Sequence, residues 1–221
     1  PDPAPKTSIG ERMKLLLSAL GLLLWVPADT ALAHPVAYQG SVGFMGYYSA
    51  GMMDQEINYS LRHWLAPSVQ ALRFTEGTSK PDFALGKLNF LVKRWNGYDF
   101  QGNLYVHGGG GYSWLSRGSV FHGGATADIE NRRLYFLGQW DLLRNSKRTE
   151  ATFWKVRAGF APYLTSFEGI HTWLILEANR KSLGDGRVRL VPTLRFFHQN
   201  VLWEVGSSLS GEIHLNFIIH I

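Results

Sequence analysis

Apolar and polar residues alternate one by one along several stretches of this sequence, and this period of two constrains the fold more than any other feature. From residue 154 to residue 160, apolar side chains occupy the even positions, and Lys155, Arg157 and Gly159 occupy the odd ones. Residues 57–62 and 187–195 alternate in a similar way. Successive side chains of a β-strand point to opposite faces, so this pattern predicts strands and an all-β fold.

Turn-forming residues interrupt the alternation at regular intervals. The interruptions lie at 50–51, 65–67, 76–82, 96–97, 116–118, 130–131, 145–147, 165–169, 184–186, 199–200 and 210–211. They predict about twelve strands, each roughly nine to sixteen residues long and joined in sequence as antiparallel hairpins, with ten or fourteen strands as the alternatives.

The beginning of the chain has the pattern of a secretory signal peptide. Basic residues precede an apolar run of about twelve residues from Leu15 to Val26, and the small-residue site Ala31-Leu32-Ala33 follows. The run is shorter than the ~18 residues that a membrane-spanning helix needs. We therefore expect residues 1–33 to be a signal peptide with an N-terminal extension, and residues 34–221 to form one β-barrel domain.

The polar face of the strands is expected to line a lumen. A twelve-stranded barrel is wider than the eight-stranded kind that side chains can fill, so an apolar interior would leave voids, whereas a polar interior can hold water and paired charges. The sequence therefore predicts a closed, up-and-down antiparallel transmembrane barrel with an Arg-rich lumen. The residues predicted to line the lumen or a ligand path are Arg62, Lys155, Arg157, Glu177, Arg187, Arg189, Arg195, Glu204 and His214.

Aromatic residues agree with a membrane barrel. Membrane barrels carry girdles of aromatic side chains where they meet the bilayer interface, although buried aromatics of a soluble core are the other interpretation. Five tryptophans fall near predicted strand ends, namely Trp64, Trp95, Trp114, Trp140 and Trp203.

The last strand is the most specific feature. Apolar residues at 213, 215, 217, 219 and 221 alternate with His214, Asn216, Ile218 and His220. This segment resembles the C-terminal assembly signal of bacterial outer-membrane β-barrel proteins, although Ile221 stands where phenylalanine is more usual. The resemblance is to a class rather than to one family. It implies a bacterial outer-membrane location, with the lipid bilayer and the outer-membrane assembly machinery as partners.

Passive transport is the function that the predicted lumen favours. An Arg-rich lumen lowers the barrier for anions, which predicts a small non-catalytic pore for small solutes or ions. If Arg187, Arg189 and Arg195 instead pair with Glu177 and Glu204, the interior is a packed ionic plug and the protein is structural. The net charge of +5 is scattered, so we expect no nucleic-acid partner.

Metal handling is the alternative function. The chain contains no cysteine, which leaves histidine, carboxylates and methionine as ligands. Cleavage after Ala33 would make His34 the first residue, and its amino group and imidazole can together chelate Cu(II). Met45, Met52 and Met53 would suit Cu(I). Copper is the cofactor of this alternative, and no cofactor is expected otherwise; a frayed terminus that binds nothing is the other interpretation of His34.

A lipid hydrolase is the third hypothesis. Such an enzyme needs a nucleophile, a base and an orienting group within hydrogen-bond reach. His107 and His122 flank a glycine run at 108–111, and Asp128 lies on the second strand of the same predicted hairpin. No serine stands in a recognised nucleophile pattern, so we expect no catalytic residue.

Overall fold

The structure is a computed structural model that describes residues 35–49, 51–74, 82–166, 168–183 and 185–221. The predicted signal peptide and His34 lie outside these residues. The strands are β1 (Val42–Ser49), β2 (Met52–Tyr59), β3 (Leu65–Arg73), β4 (Phe83–Asn96), β5 (Phe100–Ser113), β6 (Gly118–Asn131), β7 (Leu134–Arg144), β8 (Thr149–Phe160), β9 (His171–Lys181), β10 (Val188–His198), β11 (Val201–Ser207) and β12 (Ile213–His220). Among the described residues, no helix is long and apolar enough to cross a membrane.

Each strand pairs with the next in antiparallel fashion, and β1 pairs with β12 to close the sheet. The predicted fold, an all-β closed up-and-down barrel of about twelve strands, is confirmed. The strands β3 to β10 have the predicted length, with 9 residues in β3 and up to 14 in β4, β5 and β6, whereas β1, β2, β11 and β12 are shorter than predicted, with 7 or 8 residues. We call the end where β1 begins and β12 ends the termini end, and the opposite end the distal end.

The outer surface of the barrel is apolar. Along β6, Val120 and His122 are buried inside, whereas Phe121 between them is 65% exposed on the outside. Large exposed apolar residues recur around the wall, including Val69 and Leu176. A sheet with this outward band and polar residues inside has the architecture of the outer-membrane β-barrel class that the last strand resembles.

The five predicted girdle tryptophans are all exposed rather than in a core. Trp64, Trp95, Trp114 and Trp203 lie at or near strand ends, as expected, but Trp140 lies in the middle part of β7. The prediction is therefore correct for four of the five positions.

Tight turns close several hairpins. Gly51 (φ 66°) joins β1 to β2, and Gly211 (φ 88°) lies in the turn from β11 to β12. Residues other than glycine rarely adopt such left-handed backbone conformations, which explains why glycine occurs at these turns.

Candidate functional site

The inside of the barrel contains a chamber of about 790 Å³. Pro35, Tyr98 and Arg132 line it at the termini end, and Phe74 and Phe153 line it toward the distal end. Charged and amide side chains from strands around the barrel line it between these ends, together with apolar ones such as Leu137 and Leu202. The chamber is therefore the concave site that the fold builds.

An apolar layer lies inside the barrel near the distal end. Its side chains come from β2, β3, β4, β6, β7 and β8 and from the segment after β3. They form a single buried cluster made of Met52, Leu72, Phe74, Phe83, Leu85, Val120, Leu143, Ala151 and Phe153. Tyr47 and Leu183 pack against it. We call this cluster the distal apolar layer. Its presence departs from the expectation of a polar interior throughout, because inward positions become apolar where the strands approach this end.

Two arginines and two glutamates form an ion network on the wall made by β8 to β12. Arg157 donates to both carboxylate oxygens of Glu204, at 3.0 and 2.7 Å, and its Nε lies 2.9 Å from Glu177 Oε2. Arg195 Nε donates to Glu204 Oε1 at 2.7 Å, and Asn216 donates to Oε2 at 2.8 Å. All four ionic side chains are buried. Bidentate charge-assisted bonds of this kind hold the buried charges in one arrangement.

A separate ion pair lies on the wall made by β2 to β4. Lys87 Nζ lies 2.7 Å from Glu56 Oε2, and Asn89 Nδ2 donates to Glu56 Oε1 at 3.1 Å. Nearby, Gln70 donates to Asp54 at 2.8 Å. The lumen thus carries paired charges of both signs, which differs from the predicted arginine excess.

Two histidines and one aspartate meet on the wall made by β5, β6 and β7. His107 Nε2 lies 2.6 Å from Asp141 Oδ1, and His122 Nε2 lies 3.1 Å from the same oxygen. Gln139 donates to the other carboxylate oxygen, Asp141 Oδ2, at 2.7 Å. In the part of the chain that the structure describes, this is the group of histidines and carboxylates close enough to hold a metal ion together.

The lack of a side chain at Gly124 allows His107 and Asp141 to approach each other. The strand register pairs His107 with Gly124 and Gly124 with Asp141, so the glycine lies between the two side chains in one row. A Cβ atom at Gly124 would lie 2.4 Å from His107 Nε2 and 2.7 Å from Asp141 Oδ1. Without a side chain there, the imidazole and the carboxylate reach each other across the intervening strand.

Seven of the nine predicted lumen residues lie on strands that form the inner wall. Lys155 and Arg157 line the chamber with Arg195, whereas Glu177, Glu204 and His214 are buried on the inner face, and Arg189 lies toward the distal end, bonded to Glu212 and Asp185. His214 Nδ1 lies 2.8 Å from the Tyr47 hydroxyl.

Arg62 and Arg187 are corrections, because neither lies on the lumen wall. Arg62 is exposed in the turn between β2 and β3, and the interruption predicted at 65–67 is already part of β3. Arg187 is exposed in the loop before β10. In both cases the alternation runs past the end of the strand into a turn, where side chains no longer alternate between two faces.

The predicted methionine ligands are not brought together. Met45 and Met52 face the lumen, whereas Met53 lies on the opposite face of β2. Met45 is opposite Glu56, four residues along β2 from Met52, a separation of roughly 13 Å. Met52 is part of the distal apolar layer. The described methionines therefore form no common copper site.

Asp141 and the distal apolar layer were not predicted from the sequence. Asp141 belongs to a row that appears only when three strands are placed in register. The layer had a local signal, because both faces are apolar at Leu142-Leu143 and Phe153-Trp154. Two neighbouring apolar residues in an alternating strand indicate that the inward side has also become apolar.

Comparisons with known proteins support no assignment to a family. A scan against protein-family models and a sequence search of curated proteins found no match. Among solved structures, the chain is similar to OccK11 (OpdR) of Pseudomonas aeruginosa at 8% sequence identity and a TM-score of 0.38. The match covers 80% of this chain, which spans 63% of the Pseudomonas chain.

Proposed function

We propose that this chain is a non-catalytic barrel of the bacterial outer membrane that acts as a small pore, held closed by the distal apolar layer. The closed sheet and its apolar outer band suit a bilayer, where every backbone group must find a partner within the protein. We place both chain ends on the periplasmic side, as is usual for such barrels.

One observation carries the proposal, namely a chamber that has charged and amide side chains along its wall and an apolar layer at its distal end. Water and ions can enter a chamber walled by charged and amide side chains, but a narrow apolar constriction empties of water and blocks ions. Passage would then require the layer, which includes Leu143 and Phe153, to open.

The proposal includes no catalysis because the lumen histidines have no nucleophile. No serine hydroxyl of the described residues hydrogen-bonds to His107 or His122, and Ser113 donates to Glu150 instead, at 2.6 Å. A purely structural barrel is the second candidate, because the ion network of Arg157, Glu177, Arg195 and Glu204 already occupies part of the lumen.

Single-channel recording in planar bilayers tests the closed pore. The wild-type barrel is expected to conduct rarely, whereas the double variant Leu143→Ala with Phe153→Ala should give steady channels because it removes two large side chains of the layer. The matched control is Phe136→Ala with Leu176→Ala, which truncates the same residue types on the outer face.

Folding of each variant is checked by gel mobility before and after heating, since buried truncations cost about 2–5 kcal/mol each. Steady conductance by the wild type would refute the closed state. A folded double variant that stays silent would refute the pore and leave the structural barrel.

A further inference from the structure

We propose that His107, His122 and Asp141 bind one divalent transition-metal ion, such as zinc, inside the lumen. The three side chains project from β5, β6 and β7, and their ligand atoms all lie within 4.8 Å of one another. The site does not depend on the pore, because a metal ion can bind in the chamber of a closed, open or purely structural barrel.

The spacing of the ligand atoms is close to what zinc requires. Zinc bonds of ~2.0–2.2 Å in tetrahedral geometry place neighbouring ligand atoms roughly 3.3 Å apart. Asp141 Oδ1 lies 2.6 Å from His107 Nε2 and 3.1 Å from His122 Nε2. Shifts of less than about 1 Å in these two distances would therefore admit the ion, with each imidazole ligating through Nε2 and carrying its proton on Nδ1.

The chain leaves space at this point and orients the ligands. Gly124 lies between His107 and Asp141 in the strand register, and any Cβ there would fill the gap between their ligand atoms. Gln139 holds Asp141 Oδ2, which fixes the carboxylate with Oδ1 toward the histidines. Such outer hydrogen bonds are a general feature of metal sites.

Only one of the two ring nitrogens of His122 has a hydrogen-bond partner among the described residues. Its side chain is 3% exposed, its Nδ1 is buried without a hydrogen-bond partner among the described residues, and its Nε2 contacts Asp141. The Nε2 atom of His122 is aimed at a carboxylate oxygen that a second imidazole shares, which places it to ligate a metal ion.

The local charge also favours a cation. Asp141 is approached by two imidazoles rather than by a guanidinium or ammonium group, and Glu56 already neutralises Lys87 at 2.7 Å. Lys155 pairs with Gln139 in the strand register, and its positive charge would repel the ion. Its ammonium group, however, lies over the rings of Tyr47 and Phe153. The cluster thus brings one carboxylate together with two imidazoles, and no guanidinium or ammonium group bonds to that carboxylate in the described structure.

The ligand set indicates the metal and its coordination. Two imidazole nitrogens and one carboxylate oxygen suit zinc and similar borderline ions better than the hard ions calcium and magnesium. All three residues line the chamber, so a fourth coordination position faces solvent inside the barrel. Water or a small anion would complete the coordination there.

Isothermal titration of the folded full-length barrel in detergent with Zn²⁺ tests the proposal. We expect one ion per barrel, and a loss of affinity on the order of 100-fold in His107→Gln and in His122→Gln, because each removes one of three ligands. Co²⁺ in place of Zn²⁺ should give the visible absorption of a tetrahedral site with nitrogen and oxygen ligands. His214→Gln is the matched control, since His214 is another lumen histidine but bonds to Tyr47.

Three results would overturn the proposal: no stoichiometric Zn²⁺ binding by the folded wild type, undiminished binding in the folded His107 or His122 variants, or loss of binding in His34→Ala alone. If the histidine variants do not fold, Gln139→Ala replaces them, with an expected weakening of roughly 10-fold. Unchanged affinity in that variant overturns the site as well. Conductance is measured separately, so failure of the metal site and failure of the pore are distinguishable.

Discussion

Two parts of the lumen wall satisfy a buried carboxylate in opposite ways. On the wall of β8 to β12, Glu204 is held by the guanidinium groups of Arg157 and Arg195, and the charges cancel within the network. On the wall of β5 to β7, Asp141 is held by two imidazoles and an amide, so its negative charge has no permanent counter-ion. The first arrangement is complete as it stands, whereas the second has partners that are themselves metal ligands. Stability is therefore expected to reside in the first wall and ligand binding in the second.

The largest effect is expected from breaking the complete network. Glu204→Ala leaves Arg157 and Arg195 buried with reduced compensation, and removing one partner of a buried ion pair costs about 3–5 kcal/mol. Urea unfolding of the barrel in lipid vesicles, followed by tryptophan fluorescence, measures the loss. A change below about 1 kcal/mol would mean that the network does not hold the wall together.

Glu212→Ala is the matched control for this prediction. Glu212 accepts from Arg189 at 2.7 Å, but both side chains lie near the distal end and are partly exposed. An ion pair with this exposure is worth about 1 kcal/mol or less. Equal losses in the two variants would contradict the difference between buried and exposed pairs.

A smaller effect is expected from filling the gap on the second wall. Gly124→Ala places a methyl group against His107, Asp141 and the carbonyl oxygen of Trp140, at 2.4 to 2.7 Å. Such overpacking costs about 1–3 kcal/mol and should also abolish the proposed Zn²⁺ binding. Gly138→Ala, where nothing lies within 4 Å of an added Cβ, should leave stability and binding unchanged. Zn²⁺ binding that survives in folded Gly124→Ala would contradict the role assigned to that space.

The smallest effect is expected at an exposed carboxylate outside the wall. The backbone N–H of Arg187, and then the side chain of Arg189, lower the pKa of Asp185. A lowered folded-state pKa adds stability above the ordinary range of the carboxyl, and this stability is lost as pH falls through the folded-state value. The midpoint of thermal unfolding of Asp185→Asn should therefore lie slightly below wild type at pH 7 and converge with it in acid. A gap that persists in acid would exclude this origin.

The barrel and its strand number could be predicted from the sequence because each depends on local features. Period two in stretches such as 154–160 sets the two faces, and turn residues separate the strands. Strand ends were less certain, since Arg62 and Arg187 continue the alternation into turns. Which residues meet inside could not be predicted in the same way. Asp141 joins His107 only through the register of three strands, and that register depends on the lengths of two turns.

For a barrel that lies in a bilayer, as we propose for this one, the unequal height of the wall has a consequence for the surrounding lipid. The four neighbouring strands β2, β1, β12 and β11 have 7 or 8 residues, whereas β4, β5 and β6 on the other side have 14. A strand that spans a bilayer usually needs ~9–11 residues, so lipid beside the short side must thin to match it. Elastic strain in that lipid falls when two thinned regions merge. Short sides of adjacent barrels are therefore expected to attract one another through the bilayer without any specific contact between the proteins.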